Sequence, residues 1–139
     1  MVTITEAREL IYEEFLGSYA AIPSARITAD NEQFDPPAGL SWGRFSVRHT
    51  GRSQESLGGV GRRKFTSRGS AFFQIFSPQD QGLATVDGLA QAAREVLEGI
   101  SLSGNDIRFT DCDVRELGPD QDGWFGMTVE ASFEYTETK

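Results

Sequence analysis

With 139 residues, 38% of them hydrophobic and 24% charged, the chain has the composition of one globular domain, 1–139. Such a length buries roughly 70% of its unfolded surface without covalent staples. A single cysteine, Cys112, excludes an intrachain disulfide, and together with a single histidine, His49, it leaves no usual zinc set. The net charge of −8 is unevenly spread: Arg44, Arg48, Arg52, Arg62, Arg63, Lys64 and Arg68 face Glu55 alone, a local +6 that leaves −14 for the rest. One part of the surface is thereby suited to an acidic partner, which the acidic part of another copy would supply.

The opening MVTITEAREL lacks the basic start and apolar run of a signal peptide, and no window approaches 18 apolar residues. The expectation is a product made and assembled in the cytoplasm, with no membrane contact. Residues Thr5 to Ala20 follow the 3.6-residue period, with Leu10, Ile11 and Phe15 as anchors and Ala7, Glu14 and Ser18 completing the spacing. Thr3 and Glu6 stand three apart, as in a capping box, and Pro23 forbids continuation. Arg26–Ala29 reads as a short strand, followed by a loop with two prolines.

Leu40–Thr50 alternates Phe45, Val47 and His49 with Arg44, Ser46 and Arg48, the period of a half-buried strand. A further strand is expected around Ser53–Leu57, then a flexible turn at Gly58–Gly61. Ser70–Ser77 is the most apolar strand candidate. Phe72 and Phe76 point one way and Ala71, Phe73 and Ile75 the other, which predicts a central strand covered on both faces. Leu83–Gly99 carries the stripe Leu83, Val86, Leu89, Ala90, Ala93, Val96 and Leu97 of a second amphipathic helix. Two short strands, Asp106–Thr110 and Asp113–Leu117, precede a turn-rich 118–123. Trp124–Thr136 is the longest alternating run, with Phe125, Met127, Val129, Ala131, Phe133 and Tyr135 on one side. The predicted order α-β-β-β-β-α-β-β-β gives an α+β domain. Its sheet is mainly antiparallel or mixed, with two α-helices packed on one face.

Catalytic chemistry finds no foothold in this pattern. His49 sits inside a strand pattern with no nucleophile motif nearby, so a structural role is expected. Asp111 and Asp113 flank Cys112, and Asp120 and Asp122 fall in a turn, where solvated carboxylates are the ordinary finding. Cys112 itself reads as a buried or half-buried thiol. The run Gly58-Gly59-Val60-Gly61-Arg62-Arg63-Lys64 departs from a phosphate loop, because Phe65 follows the lysine and no strand-to-helix link surrounds it. A hairpin tip is the expectation. Bases near Trp42, Phe45 and Phe65 leave a nucleic-acid-binding reading of residues 44–68 open, against an overall pI near 4.6.

Three stretches carry a resemblance: GLSWGRFSV from Gly39, GRRKFTSRGSAFFQIFSPQDQG from Gly61, and IRFTDCDVRELGPDQDGWFGMTVEASFEY from Ile107. With the two helices, they make nearly the whole chain similar to the tail-terminator-like phage proteins, including a group long labelled a phage-related domain of unknown function. The resemblance implies a non-enzymatic α+β subunit, without catalytic, cofactor or metal residues. It implies a ring, commonly hexameric, that caps the tail tube protein and presents a surface to the head-side connector protein. The implied location is the virion tail, reached from the host bacterial cytoplasm during assembly. The alternative within the same class is a head–tail completion subunit. Arg62, Arg63, Lys64 and Arg68 are the candidate assembly-interface residues, since a ring joins unlike faces and this segment opposes the acidic remainder.

Overall fold

The computed structural model describes residues 3–23, 26–29, 39–78, 83–98, 101–102, 107–119 and 123–138. The elements are α1 (Ile4–Ser18), β1 (Ile27–Ala29), β2 (Trp42–Gln54), β3 (Lys64–Pro78), α2 (Leu83–Glu98), β4 (Ser101–Leu102), β5 (Ile107–Pro119) and β6 (Trp124–Thr138). The strands form one sheet in the order β1-β2-β3-β6-β5-β4. Only β1 and β2 are parallel, and every other neighbouring pair is antiparallel. The fold is α+β with a mixed sheet.

Thr3 caps α1 through its Oγ1, which accepts the Glu6 N–H at 3.1 Å. A cap of this kind contributes about 1 kcal/mol. The helix ends where Tyr19 turns extended while its N–H still donates to the Phe15 carbonyl at 2.8 Å. Ala7, Ile11 and Phe15, one every fourth residue, form the buried stripe. In α2 the buried row is Val86, Ala90, Ala93 and Leu97. Both rows meet the same sheet face, made by Phe45 of β2, Ala71, Phe73 and Ile75 of β3, and Met127, Val129, Ala131, Phe133 and Tyr135 of β6. Phe15 stacks on Phe45 with centroids 4.5 Å apart and tilts against Phe73 at 4.8 Å. The Tyr19 hydroxyl donates to the Leu89 carbonyl at 3.1 Å and ties the end of α1 to α2.

Two glycines let aromatic rings lie flat on the pleat. A Cβ on Gly43 would sit 2.6 Å from Cζ of Phe73, and one on Gly69 would sit 2.6 Å from Cζ of Phe133. Both positions lie inside long strands, where glycine otherwise costs stability, so the ring contact accounts for them.

Four expectations are corrected. Leu40–Thr50 and Ser53–Leu57 are one strand, because a bulge between His49 and Gly51 absorbs an extra residue, Thr50, and pairing with β3 then resumes. The same device, at Thr110 between Phe109 and Asp111, fuses Asp106–Thr110 and Asp113–Leu117 into β5. The apolar β3 is central but not covered on both faces. The helices cover Ala71, Phe73 and Ile75, whereas Phe72 and Phe76 are half-buried on a helix-free face. β3 also begins at Lys64, six residues before the alternation becomes apolar, because Phe65 and Ser67 are held by Glu137 and Tyr135 of β6.

Candidate assembly surfaces

The β2–β3 hairpin extends past the apolar core and ends in a loop over residues 55–63. Its base is fixed by the Glu55 N–H donating to the Lys64 carbonyl at 2.7 Å and the Lys64 N–H donating to Ser56 Oγ at 3.0 Å. At the tip, the Arg62 N–H donates to the Gly59 carbonyl at 2.9 Å, and Gly61 takes the left-handed φ of 86° that closes the turn. Leu57 is fully exposed and Val60 is 89% exposed. The turn thus holds two apolar side chains out in solvent beside its basic residues.

The four candidate interface residues divide. Arg62 and Lys64 are exposed on the returning limb of the loop. Arg63 folds back, with its guanidinium carbon 6.0 Å from the Phe65 ring centroid, and is half-buried. Arg68 stands apart, down β3 on the helix-free face, where it donates to Ser53 Oγ at 2.9 Å and to Glu55 Oε1 at 2.8 Å. The Ser53 hydroxyl, donating to Glu55 Oε1 at 2.7 Å, and then Arg68 hold the Glu55 carboxyl below its ordinary value. Arg52 is likewise engaged, with Glu137 and with Ser67 Oγ at 2.8 Å, and lies 5.1 Å from the Phe65 centroid. Of the seven basic residues in this stretch, Arg52 and Arg68 are therefore paired with acids of the same subunit.

The helix-free face has an aromatic end and a charged centre. Trp42 stacks on Phe76 at 4.4 Å and meets Trp124 edge-on at 6.1 Å, with Arg44 5.9 Å from the Trp42 ring. This aromatic group shields Phe76, one of the two phenylalanines that looked, from the alternation alone, as if a second layer must cover them. Farther along, Arg115 pairs with Glu130 at 3.3 Å, and Arg108 with Glu134. Sequence reasoning missed Trp42 and Trp124 as a pair. The signal was available in the two tryptophans standing next to turn-rich segments, but their meeting depends on strand order.

His49 hydrogen-bonds through Nε2 with the Tyr135 hydroxyl at 2.9 Å and sits edge-on to Phe133 and Tyr135. Burial first, and then the Arg8 guanidinium, lower its affinity for a proton below that of an ordinary imidazole. These contacts, a phenol hydroxyl and two aromatic rings, are those of a packed structural histidine. Cys112 lines a pocket with Leu97, Glu98, Phe109, Thr110 and Asp111. Burial pushes its thiol up to about 11, so it is neither a ready nucleophile nor a ready metal ligand. Asp111 and Asp113 project to the face opposite Cys112, as strand alternation requires. Asp120 and Asp122 lie outside the described residues. Among the described residues no three His, Cys, Asp or Glu side chains are grouped to hold a metal, and no helix is long and apolar enough to cross a membrane. The Gly58–Lys64 run joins two strands, not a strand to a helix.

No family model and no curated protein matches the chain. Among solved structures, a protein known only by a sequence identifier superposes on 97% of this chain and 96% of its own, with a TM-score of 0.69 at 16% identity. The likeness extends to the whole fold and speaks of the fold alone.

Proposed function

We propose that this chain is a structural, non-catalytic subunit of a long-tailed phage or prophage, which assembles into a ring, caps the tail tube and offers a head-side joining surface. It would act in the virion tail after assembly in the host cytoplasm. The observation that carries this reading is the β2–β3 hairpin, which holds Leu57 and Val60 in solvent beside Arg62 and Lys64 on a hydrogen-bonded turn. A subunit that must grip a neighbour or a tube end gains both apolar area and electrostatic registration from it. The resemblance of the β2, β3 and β5–β6 segments to tail-terminator-like proteins supports the same reading.

Electron microscopy of particles produced without the protein tests it. Overlong tubes are expected. Tubes of normal length that fail to join heads would replace the terminator with a head–tail completion subunit, the second reading, which the same hairpin would serve. Normal, complete particles would remove both. A nucleic-acid module fits less well, because Arg52 and Arg68 are engaged by Glu137 and Glu55. DNA affinity that rises steeply as salt falls would favour it.

A further inference from the structure

Two surfaces of the subunit carry uncompensated charge of opposite sign. The first is the tip of the β2–β3 hairpin. Arg62, Arg63 and Lys64 follow one another there, and among the described residues none of the three forms a salt bridge. Arg62 is held through its backbone N–H, and the Lys64 ammonium acts on Glu55 only at a distance. Leu57 and Val60 stand in solvent beside these cations.

The second surface is the outer side of α1. The helix carries Glu6, Glu9, Glu13 and Glu14 against Arg8 alone, and all four glutamates are exposed. Glu6, Glu9 and Glu13 stand three and four apart and so share one side. At the same spacings Glu6, Glu13 and Glu14 surround the half-buried Leu10. Among the described residues none of the four glutamates forms a salt bridge. In β5, by contrast, the acids are interspersed with Arg108 and Arg115, and in α2 Glu98 pairs with Arg94.

The two surfaces match in kind, an apolar pair beside cations and a leucine among carboxylates. No ion pair joins them within one subunit, and the arm is held away from α1. β6 follows β3 to the root of the hairpin, with Thr138 opposite Lys64 and Glu137 opposite Phe65. Arg52 pairs with Glu137, and Arg52 and Arg63 both lie on the Phe65 ring. Pairing on both sides of β3 thus keeps the arm in line with the sheet, whereas α1 packs over Phe45 and Phe73. Contact between the two surfaces takes two copies, and it joins unlike faces, as closure of a ring requires.

We propose that a second copy of this chain occupies the hairpin tip: Leu57 and Val60 of one subunit seat against Leu10 of the next, and the cations beside them meet Glu9 and Glu13. Charge selects this occupant. Copies with a net charge of −8 repel one another as wholes, so association must set cation on carboxylate, and α1 holds carboxylates with no cation of their own. Apolar burial then supplies affinity while the flanking charges fix register. The contact deepens the reading of the hairpin as an assembly arm and rests on that reading for ring closure, but it is measurable on the purified chain.

Two charge-reversed proteins test it. Arg62→Glu with Lys64→Glu makes the hairpin acidic, and Glu9→Lys with Glu13→Lys makes α1 basic. Sedimentation velocity is run with protein up to about 0.5 mM in about 0.1 M salt, where a Debye length of about 10 Å screens repulsion between whole copies and spares ion pairs in contact. Circular dichroism confirms folding. The wild type is expected to self-associate, each variant alone to sediment as a monomer, and an equimolar mixture to regain assembly with both proteins in equal amounts. Leu57→Ser with Val60→Ser is expected to weaken association at least about tenfold. A monomeric wild type, a charge variant that associates alone as well as the wild type, a monomeric mixture, or undiminished association of the serine variant overturns the contact. If a double charge variant fails to fold, Arg62→Glu and Glu13→Lys singly replace the two, with the same outcomes. Particles made without the protein separate this contact from the function. Normal tails there remove the terminator and completion readings and leave the contact standing, whereas overlong tails beside a monomeric mixture remove only the contact.

Discussion

Gly69 lies beneath the ring of Phe133, on the adjacent strand and directly opposite in register. The ring occupies the volume that a side chain at 69 would need. It also seals the sheet beside His49, whose imidazole meets Phe133 edge-on at 5.6 Å. Gly69→Ala is expected to destabilise the domain by about 2–3 kcal/mol, since the backbone carbonyl of Arg48 on the other side prevents relief. Urea unfolding followed by circular dichroism reads this as a lowered midpoint at unchanged slope. A midpoint equal to wild type would mean that Phe133 turns aside freely.

Stability near neutrality should depend on pH through His49. Its proton affinity in the folded state is below the ordinary value near 6.5, from burial and then from Arg8. The unfolded chain therefore binds the proton more readily, and stability falls as pH drops from above about 6.5 towards the lower folded value. The urea midpoint should decline between about pH 7 and pH 5.5 in the wild type and decline less in His49→Gln. An identical pH profile in the two proteins would assign the change to other groups.

Cys112 should react slowly. With its thiol pushed up to about 11, far less thiolate is present at pH 8 than for a free cysteine. Modification by an aromatic disulfide reagent is expected to be at least about tenfold slower than for a cysteine peptide, and to reach the peptide's rate in denaturant. Equal rates in the folded state would mean that the contacts with α2 open readily.

Arg62→Glu with Arg63→Glu should leave the domain folded, with a midpoint within about 1 kcal/mol of wild type, because Arg62 is exposed and Arg63 contributes mainly its packing on Phe65. Tail completion should fail. Complementation with the variant gene, scored by electron microscopy, is the measurement, and normal tails would remove these two residues from the assembly contact.

The parts of this fold legible in the sequence are those set by local physics. Thr3 and Glu6 mark the cap of α1, and the alternation of Met127, Val129, Ala131, Phe133 and Tyr135 marks the buried face of β6. The strand breaks near Gly51 and Asp111 were misread because a bulge and a turn use the same residue types, and only the partner strand decides between them. The exposure of Phe72 and Phe76 was illegible for a related reason. Apolar residues on both sides of a strand look alike whether a helix or a neighbouring tryptophan covers the second side. The basic stretch from Arg44 to Arg68 was visible at once, yet its division into engaged Arg52 and Arg68 and outward Arg62 and Lys64 follows from pairing with β6 and from the hairpin turn.

The seam between β3 and β6 has a kinetic consequence. β2 with β3, and β5 with β6, are hairpins that close over short spans, whereas pairs such as Phe73 with Val129 wait for the whole of α2 to be looped out. Docking of the two hairpins is then the slow event in reaching the native state, as expected when distant partners must meet before any reward is gained. During synthesis, a nascent chain that has made β3 but not β6 carries a naked central strand bearing Ala71, Phe73 and Ile75. Throughout that interval it is at its most prone to clump.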